Sequence, residues 1–186
     1  FGMPNNDGAP ATPAYVEAQV LGSVEAVADL LAKEAVRDFA SLPLEPATLK
    51  GAVDGRMRLD FKIGKAASGD DVKIGVNAAV TNFVAERLIG KERFESGTIN
   101  VIGDPGGIKV NGSGRMFGYP ASLDLRKDLG QPALANLGAT IDDAGRTKLG
   151  LGMPGVSGPI GVKVAAVFER ETRVNADLDL TRVALA

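Results

Sequence analysis

The side chains that most often carry out catalysis are scarce in this chain. Its 186 residues include no His and no Cys. Ser–His and Cys–His nucleophilic pairs are therefore excluded, and so is Cys-ligated zinc. No Ser-x-x-Lys sequence occurs, which also removes the serine–lysine hydrolase pattern. Carboxylates and glycine-rich loops are the features that remain to be considered.

The carboxylates occur in pairs, and each pair has a structural explanation. Asp70-Asp71 falls in a predicted hairpin turn, and Asp142-Asp143 stands where a short helix would begin. Asp177 and Asp179 alternate with leucines as strand residues do, and they lack the glycine and glutamate of a calcium loop. We therefore predict no catalytic residue and no metal site.

The glycine-rich segments do not match cofactor loops. Gly64-Lys65 and Gly90-Lys91 are each followed by the wrong residue for a Walker A motif. Gly112, Gly114 and Gly118 miss the dinucleotide-binding spacing. The sequence thus predicts a non-enzymatic protein without a cofactor.

Charge and composition narrow the binding partners. Lys and Arg number 21 against 23 Asp and Glu, a net charge of -2. This balance argues against nucleic-acid binding and against a polybasic membrane anchor. Aromatic residues make up only 5% and Trp is absent, which counts against a carbohydrate-binding domain because sugars usually stack on aromatic rings.

The spacing of apolar residues predicts a mainly β protein. A first strand spans Ala14–Leu21, and an apolar helical stripe runs from Val24 to Phe39 behind a Ser23 cap. A short second helix should start at Asp142-Asp143 and end at Gly150. Eight further alternating segments read as strands, and they lie at 53–63, 72–80, 98–102, 108–116, 121–125, 133–141, 160–168 and 173–180. Residues 84–94 fit either a connecting excursion or an irregular strand, while Gly112 and Gly114 suggest a bulge or a sharp bend.

The strands have one charged side and one apolar side. Arg56, Arg58 and Lys62 alternate with Asp54 and Asp60, which is typical of a solvated face. The apolar side either seals into a core, as in a sandwich, or lines an open groove. Each buried Val, Leu, Ile or Phe contributes about 1.5–3 kcal/mol, so an open face needs a partner, and lipid acyl chains would serve.

Several segments resemble the periplasmic repeat region of the AsmA-like family, in particular its YhdP branch, which is related to TamB. The resemblance covers roughly Tyr15 to Leu185 in the order of the family's motifs. It rests on Leu49–Phe61, Asp70–Ile74, Gly112–Leu125, Ala139–Leu151 and Gly158-Pro159-Ile160.

The resemblance implies a long, strongly curved antiparallel sheet with a hydrophobic groove. It implies a periplasmic part of an inner-membrane-anchored protein that carries phospholipids toward the outer membrane, with no catalytic residues. The groove would be lined by the apolar sides of alternating strands: Met57, Leu59, Phe61, Ile63, Val72, Ile74, Val76, Leu123 and Leu125.

These observations give one set of expectations. Residues 1–13 form a flexible leader, and residues 14–186 form a single β-rich domain cut from a larger envelope protein. The fold is a curved antiparallel sheet, either an open groove or a folded-over sandwich, with one N-terminal helix and one short helix. Its partners are phospholipid acyl chains and neighbouring repeats of the parent, and the fragment self-associates through its sheet edges. The alternative is a structural or interaction module with a sealed core and no lipid.

Overall fold

The computed structural model describes residues 12–31, 45–64, 72–89, 92–150, 152, 154–169 and 171–185. It is mainly β, as predicted, and its largest element is an antiparallel sheet that is not closed. The strands are β1 Thr12–Ser23, β2 Leu49–Ile63, β3 Lys73–Ile89, β4 Glu92–Asp104, β5 Gly107–Met116, β6 Tyr119–Asp128, β7 Ala133–Ile141, β8 Val156–Ser157, β9 Ile160–Phe168, β10 Arg173–Asp179 and β11 Ala184–Leu185. The helices are α1 Val24–Leu31 and α2 Asp143–Lys148, with a 3-10 turn at Pro46–Thr48.

The main sheet is an up-and-down meander. Its nine strands lie in the order β1-β2-β3-β4-β5-β6-β7-β9-β10, so that neighbours in sequence are neighbours in space. Only β8 leaves this order, and it pairs with β11 in a separate two-stranded sheet. Strands β1 and β10 are therefore the two edges of the open sheet.

The register of the strands places apolar residues opposite one another across the whole sheet. Alternation along each strand sends these residues to one face, and antiparallel pairing aligns them in rows. One row consists of Gly22, Val53, Val80, Ile99, Gly112, Leu123, Leu137, Val164 and Ala176. The next row consists of Val20, Gly55, Ala78, Val101, Val110, Leu125, Ala135, Ala166 and Val174. We call this side of the sheet the apolar face.

The long strands β3 and β4 each contain an irregularity at the same level. In β3 it follows Thr81, where Asn82 has a φ of 51°, and in β4 it lies between Glu95 and Ile99. One extra residue reverses the alternation of a strand, so Phe83 and Phe94 return to the apolar face. Of residues 84–94, which the sequence left open, 84–89 are the end of β3 and 92–94 are the beginning of β4, so the described part is irregular strand and not a connecting excursion.

The predicted bulge at Gly112 and Gly114 is wrong in position. Both glycines lie in regular pairing with β6, opposite Leu123 and Ala121. The irregular strand is their neighbour β4. Their lack of a side chain makes room for that neighbour, because a Cβ on Gly114 would lie 2.8 Å from the ring of Phe94.

The two ends of the meander differ. At one end, α1 packs Val24, Val27 and Ala28 against the buried cluster. This helix begins as predicted, with the Ser23 hydroxyl accepting a hydrogen bond from the amide of Ala26 at 3.2 Å. We call this the helix end, and the opposite end, which holds Phe61 and Ile63, the open end.

Several predicted boundaries fall at the margins of the described chain. The apolar stripe beyond Leu31 and the turn at 65–71 lie outside the described residues, as does most of the predicted leader. Thr12 and Pro13 belong to β1. The C-terminal segment pairs further, through β11, instead of continuing the main sheet.

Candidate functional site

The apolar face is most deeply buried near the helix end. Phe94 and Met116 have no exposed surface, and Ile99 is 1% exposed. The rings of Phe83 and Phe94 lie 6.4 Å apart and are tilted by 59°, an edge-on aromatic contact. This part of the face is a packed core that holds the sheet together.

The nine groove residues predicted from the sequence occupy two different environments. Leu123 and Leu125, on β6, are buried with exposures of 5% and 3%. The other seven lie on β2, on the first residues of β3 or, for Val72, directly before β3. They lie toward the open end and are half-buried or exposed: Met57, Leu59, Phe61, Ile63, Val72, Ile74 and Val76. The second set has exposed apolar surface that a ligand could cover without displacing the core.

Within the open set, cross-strand pairs bring the predicted residues together. Met57 lies opposite Val76, and Leu59 lies opposite Ile74. All four side chains are half-buried. Further toward the open end, Ile63 is 54% exposed and Val72 is 44% exposed. Along β2 and along β3, exposure of the apolar side chains therefore increases from the helix end to the open end.

Sequence reasoning missed the residues that connect the two sets. Val101 and Val110 lie between Ala78 and Leu125 in one row, and Ile108 follows Gly103 in the next. Val101 and Val110 are half-buried. The signal was present in the alternation of 99–103 and 108–112, but short alternating runs do not reveal which strands are neighbours.

The edges of the apolar face are exposed. On β10, Val174 is 57% exposed and Leu178 is 62% exposed. On β1, Val16 is 50% exposed. The apolar rows thus continue to both edges of the sheet and end in water.

The opposite face carries exposed ion pairs, as the alternation predicted. The Arg58 guanidinium donates to Asp60 at 2.9 Å and to Glu17 at 3.2 Å, and it lies 4.3 Å from the ring centre of Tyr15. The hydrogen bond from Arg58 lowers the pKa of Asp60 below its ordinary value. All of these groups are exposed or half-exposed, so the network fits a solvated face and contributes little stability.

Two of the carboxylate pairs have the structural roles that the sequence suggested. The Asp142 side chain accepts a hydrogen bond from the amide of Gly145 at 2.8 Å and caps α2. Asp179 accepts hydrogen bonds from the amide and hydroxyl of Thr181, at 3.0 and 2.7 Å, which lowers the pKa of its carboxyl. Asp70-Asp71 lies outside the described residues.

One buried charge lies near α2. Arg146 is 2% exposed. Its Nη2 contacts the carboxylate of Asp143 and donates to the carbonyl oxygen of Val156 at 3.1 Å, while Nε and Nη1 have no partner in the described part of the chain. Arg146, which lies within α2, therefore ties β8 to that helix.

Two shallow depressions occur in the described structure. One of about 540 Å³ lies over β3–β5 and includes Asn82 and Arg115. The other, of about 460 Å³, lies over β5–β10 and is floored largely by Ser113, Ser122 and Gly138. Neither depression places a nucleophile beside a base. We assign no ligand to either.

Among the described residues, no three acidic side chains come close enough together to hold a metal ion. Neither helix in the described part of the chain has the length and hydropathy needed to cross a membrane.

Comparison with known proteins adds no relative. No protein-family model, no curated protein and no solved structure matches this chain.

Proposed function

We propose that this chain is a lipid-handling, non-enzymatic segment of a cell-envelope protein of the AsmA-like type. Its apolar face would hold the acyl chains of phospholipids in passage between the inner and outer membranes. The observation that carries the proposal is the continuity of the apolar face across all nine strands of an open sheet, with exposure rising toward the open end along β2 and β3.

Exposure of the apolar face to water is unfavourable in free energy. Met57, Leu59, Ile74 and Val76 are half-buried. At the edges of the same face, Val16 beside Leu59 is 50% exposed and Val174 on β10 is 57% exposed. An exposed apolar surface of this extent favours a partner that is itself apolar. Acyl chains satisfy that requirement because they form no hydrogen bonds and follow an irregular groove through dispersion contacts.

The mechanism in this proposal is passive. Acyl chains lie along the half-buried side chains of β2 and β3, while the head group stays at the hydrated margin. No nucleotide, metal or covalent intermediate takes part. The location in the periplasm and the neighbouring repeats of a longer parent rest on the family resemblance.

A second candidate is a structural module of envelope assembly with a sealed core. The complete burial of Phe94, Met116 and Ile99 favours it, since this part of the face needs no ligand. The two candidates differ in what occupies the open end. In the second candidate, another protein segment covers the side chains that lipid would cover in the first.

Lipid extraction of the purified chain, followed by mass spectrometry, tests the proposal. We expect co-purified phospholipid, and we expect Leu59→Asp or Ile74→Asp to abolish it while the sheet stays folded. These residues lie opposite each other and are half-buried, so a carboxylate there reaches water and leaves the core intact.

A matched control places the same charge on the other face of the same strand. Asn77→Asp changes an exposed residue three positions from Ile74, and we expect it to retain lipid. Protein that carries no phospholipid when purified from a membrane-containing extract would reject the lipid proposal. Unfolding of Leu59→Asp and Ile74→Asp would instead favour the sealed module.

A further inference from the structure

The edge strand β10 has an unpaired side. It pairs with β9 and with no other strand of the main sheet in the described part of the chain. After Asp179 the chain turns away and reaches β8 through β11 instead of adding a tenth strand. All seven residues of β10 are exposed.

The sequence of β10 lacks the usual protection of an edge. Exposed edges commonly carry proline, a bulge or an inward-pointing charge that prevents pairing with another chain. Residues 173–179 contain no Pro and no Gly, and they pair with β9 without a register shift. Their apolar side presents Val174 and Leu178, which are 57% and 62% exposed.

The charges of β10 are self-complementary about its centre. If two copies of the strand lie antiparallel with Ala176 opposite Ala176, Arg173 of one copy faces Asp179 of the other. In the same register Val174 faces Leu178 on the apolar side. Opposite charges and paired aliphatic side chains directly across an antiparallel pair are both stabilising.

Neighbouring registers match less well. A shift of two residues in one direction places Asp177 opposite Asp177. A shift of two residues in the other direction keeps an opposite-charge pair, Arg173 with Asp177, but it places Glu171 opposite Asp179 and loses the Val174–Leu178 pair. Like charges directly opposite each other are destabilising. A shift of one residue sends the apolar side chains to the opposite face. The Ala176-centred register is therefore the favoured one.

We propose that β10 is a self-association edge, through which a second copy of this chain adds its own β10 antiparallel about a two-fold axis at Ala176. The axis is normal to the sheet, so the apolar faces of both copies lie on the same side and join across the interface. This inference does not depend on lipid binding. Its small interface, one strand of seven residues on each side, predicts a weak, concentration-dependent dimer.

The other edge is the natural comparison. The polar side of β1 carries Glu17 and no cation, and Pro13 lies within the strand. Self-pairing of β1 therefore offers no charge match in any antiparallel register. Association through β1 is an outcome that would overturn the proposal.

Exchange of the charges at Arg173 and Asp179 tests the proposal directly. Dimerisation is measured by sedimentation over a roughly hundredfold range of protein concentration. We expect Arg173→Asp and Asp179→Arg each to weaken dimerisation about tenfold or more, because both ion pairs become like-charge pairs. An equimolar mixture of these two variants restores opposite charges across the interface and should dimerise as the unmodified chain does. The double variant, with both substitutions in one chain, should do the same.

The absence of cysteine allows a second, independent readout. Ala176→Cys places two thiols opposite each other at the axis, and a short thiol cross-linker should trap the dimer. Ala18→Cys, an alanine on the apolar side of β1, is the matched control and should not cross-link.

Four results would overturn self-association through β10. A chain that stays monomeric throughout, single charge variants that dimerise like the unmodified chain, or a mixture that fails to recover association would each reject this edge. Cross-linking of Ala18→Cys as readily as Ala176→Cys would assign the interface to β1. Far-UV circular dichroism of each variant separates loss of association from loss of fold.

Discussion

Truncation of two phenylalanines on the same face tests whether the helix end holds the fold and the open end does not. Phe94 has no exposed surface and contacts Phe83, whereas Phe61 is half-buried at the open end of β2. Removal of a fully buried Phe side chain costs about 3–5 kcal/mol, which combines the lost transfer energy and the cavity that remains. Phe94→Ala should therefore cost about 4 kcal/mol.

The same substitution at the open end removes less buried surface and leaves no enclosed cavity. We expect Phe61→Ala to cost about 2 kcal/mol, roughly half the value at Phe94. For a chain of this length about 3 °C of Tm corresponds to 1 kcal/mol, so the two variants should melt roughly 12 °C and 6 °C below the unmodified chain. Urea unfolding with an unchanged slope gives the free energies directly.

Added lipid separates the two positions further. A short-chain phosphatidylcholine that binds the folded state raises Tm by mass action. Phe61→Ala should reduce that rise, whereas Phe94→Ala should lower Tm and leave the rise unchanged. Equal destabilisation by the two variants would refute the division of the apolar face into a core and an accessible end. A lipid-dependent rise that Phe61→Ala leaves intact would place the ligand elsewhere.

Two further predictions concern close packing and pH. Gly114→Ala should destabilise the fold by about 1–3 kcal/mol in urea unfolding, because the new Cβ would meet the Phe94 ring and the β4 backbone. Gly97→Ala is the control: a Cβ at Gly97 has nothing within 4 Å, so this variant should be neutral or slightly stabilising. An unchanged free energy of unfolding in Gly114→Ala would contradict the prediction. The pH prediction concerns Asp143, whose pKa in the folded state is lowered by hydrogen bonds from Arg146 and from the amide of Gly158. Because the folded pKa lies below the unfolded pKa of about 3.9, the ionised carboxylate stabilises the fold, and this contribution is complete above the unfolded pKa. The contribution is lost as the pH falls through the lower, folded pKa. The stability difference between the unmodified chain and Asp143→Asn should be constant above about pH 5 and shrink below about pH 4, and a difference that grows on acidification would reverse the sign.

The sequence predicted most of the fold because nearly every strand carries its own two-residue alternation. β7 and β9 were predicted with the bounds that the structure shows. The short helix was predicted from Asp142, whose side chain caps it. These features are local: a strand's alternation and a helix cap depend on residues within a few positions of each other.

The features that the sequence did not predict arise from contacts between neighbouring strands. Gly112 and Gly114 suggested a bulge in their own strand, yet they relieve crowding from the irregular strand beside it. The extra residue near Asn82 reverses the alternation in β3, and the one local signal is Asn82 itself, a residue type that tolerates positive φ but is common elsewhere. The predicted groove residues mixed the buried Leu123 with the half-buried Leu59, because alternation gives the face of a residue but not its depth.

The apolar face and the β10 edge follow from one property of the open meander, and they can be separated experimentally. An open sheet leaves its apolar rows uncovered at both edges and leaves one side of each edge strand without a backbone partner. A second copy at β10 pairs the free backbone groups of that edge strand and extends the apolar rows. It adds another open sheet, however, and covers none of the half-buried residues near Leu59. Lipid covers those residues and gives the edge no backbone partner. Charge exchange at Arg173 and Asp179 should therefore change association and leave lipid content unchanged, whereas Leu59→Asp should remove lipid and leave association unchanged.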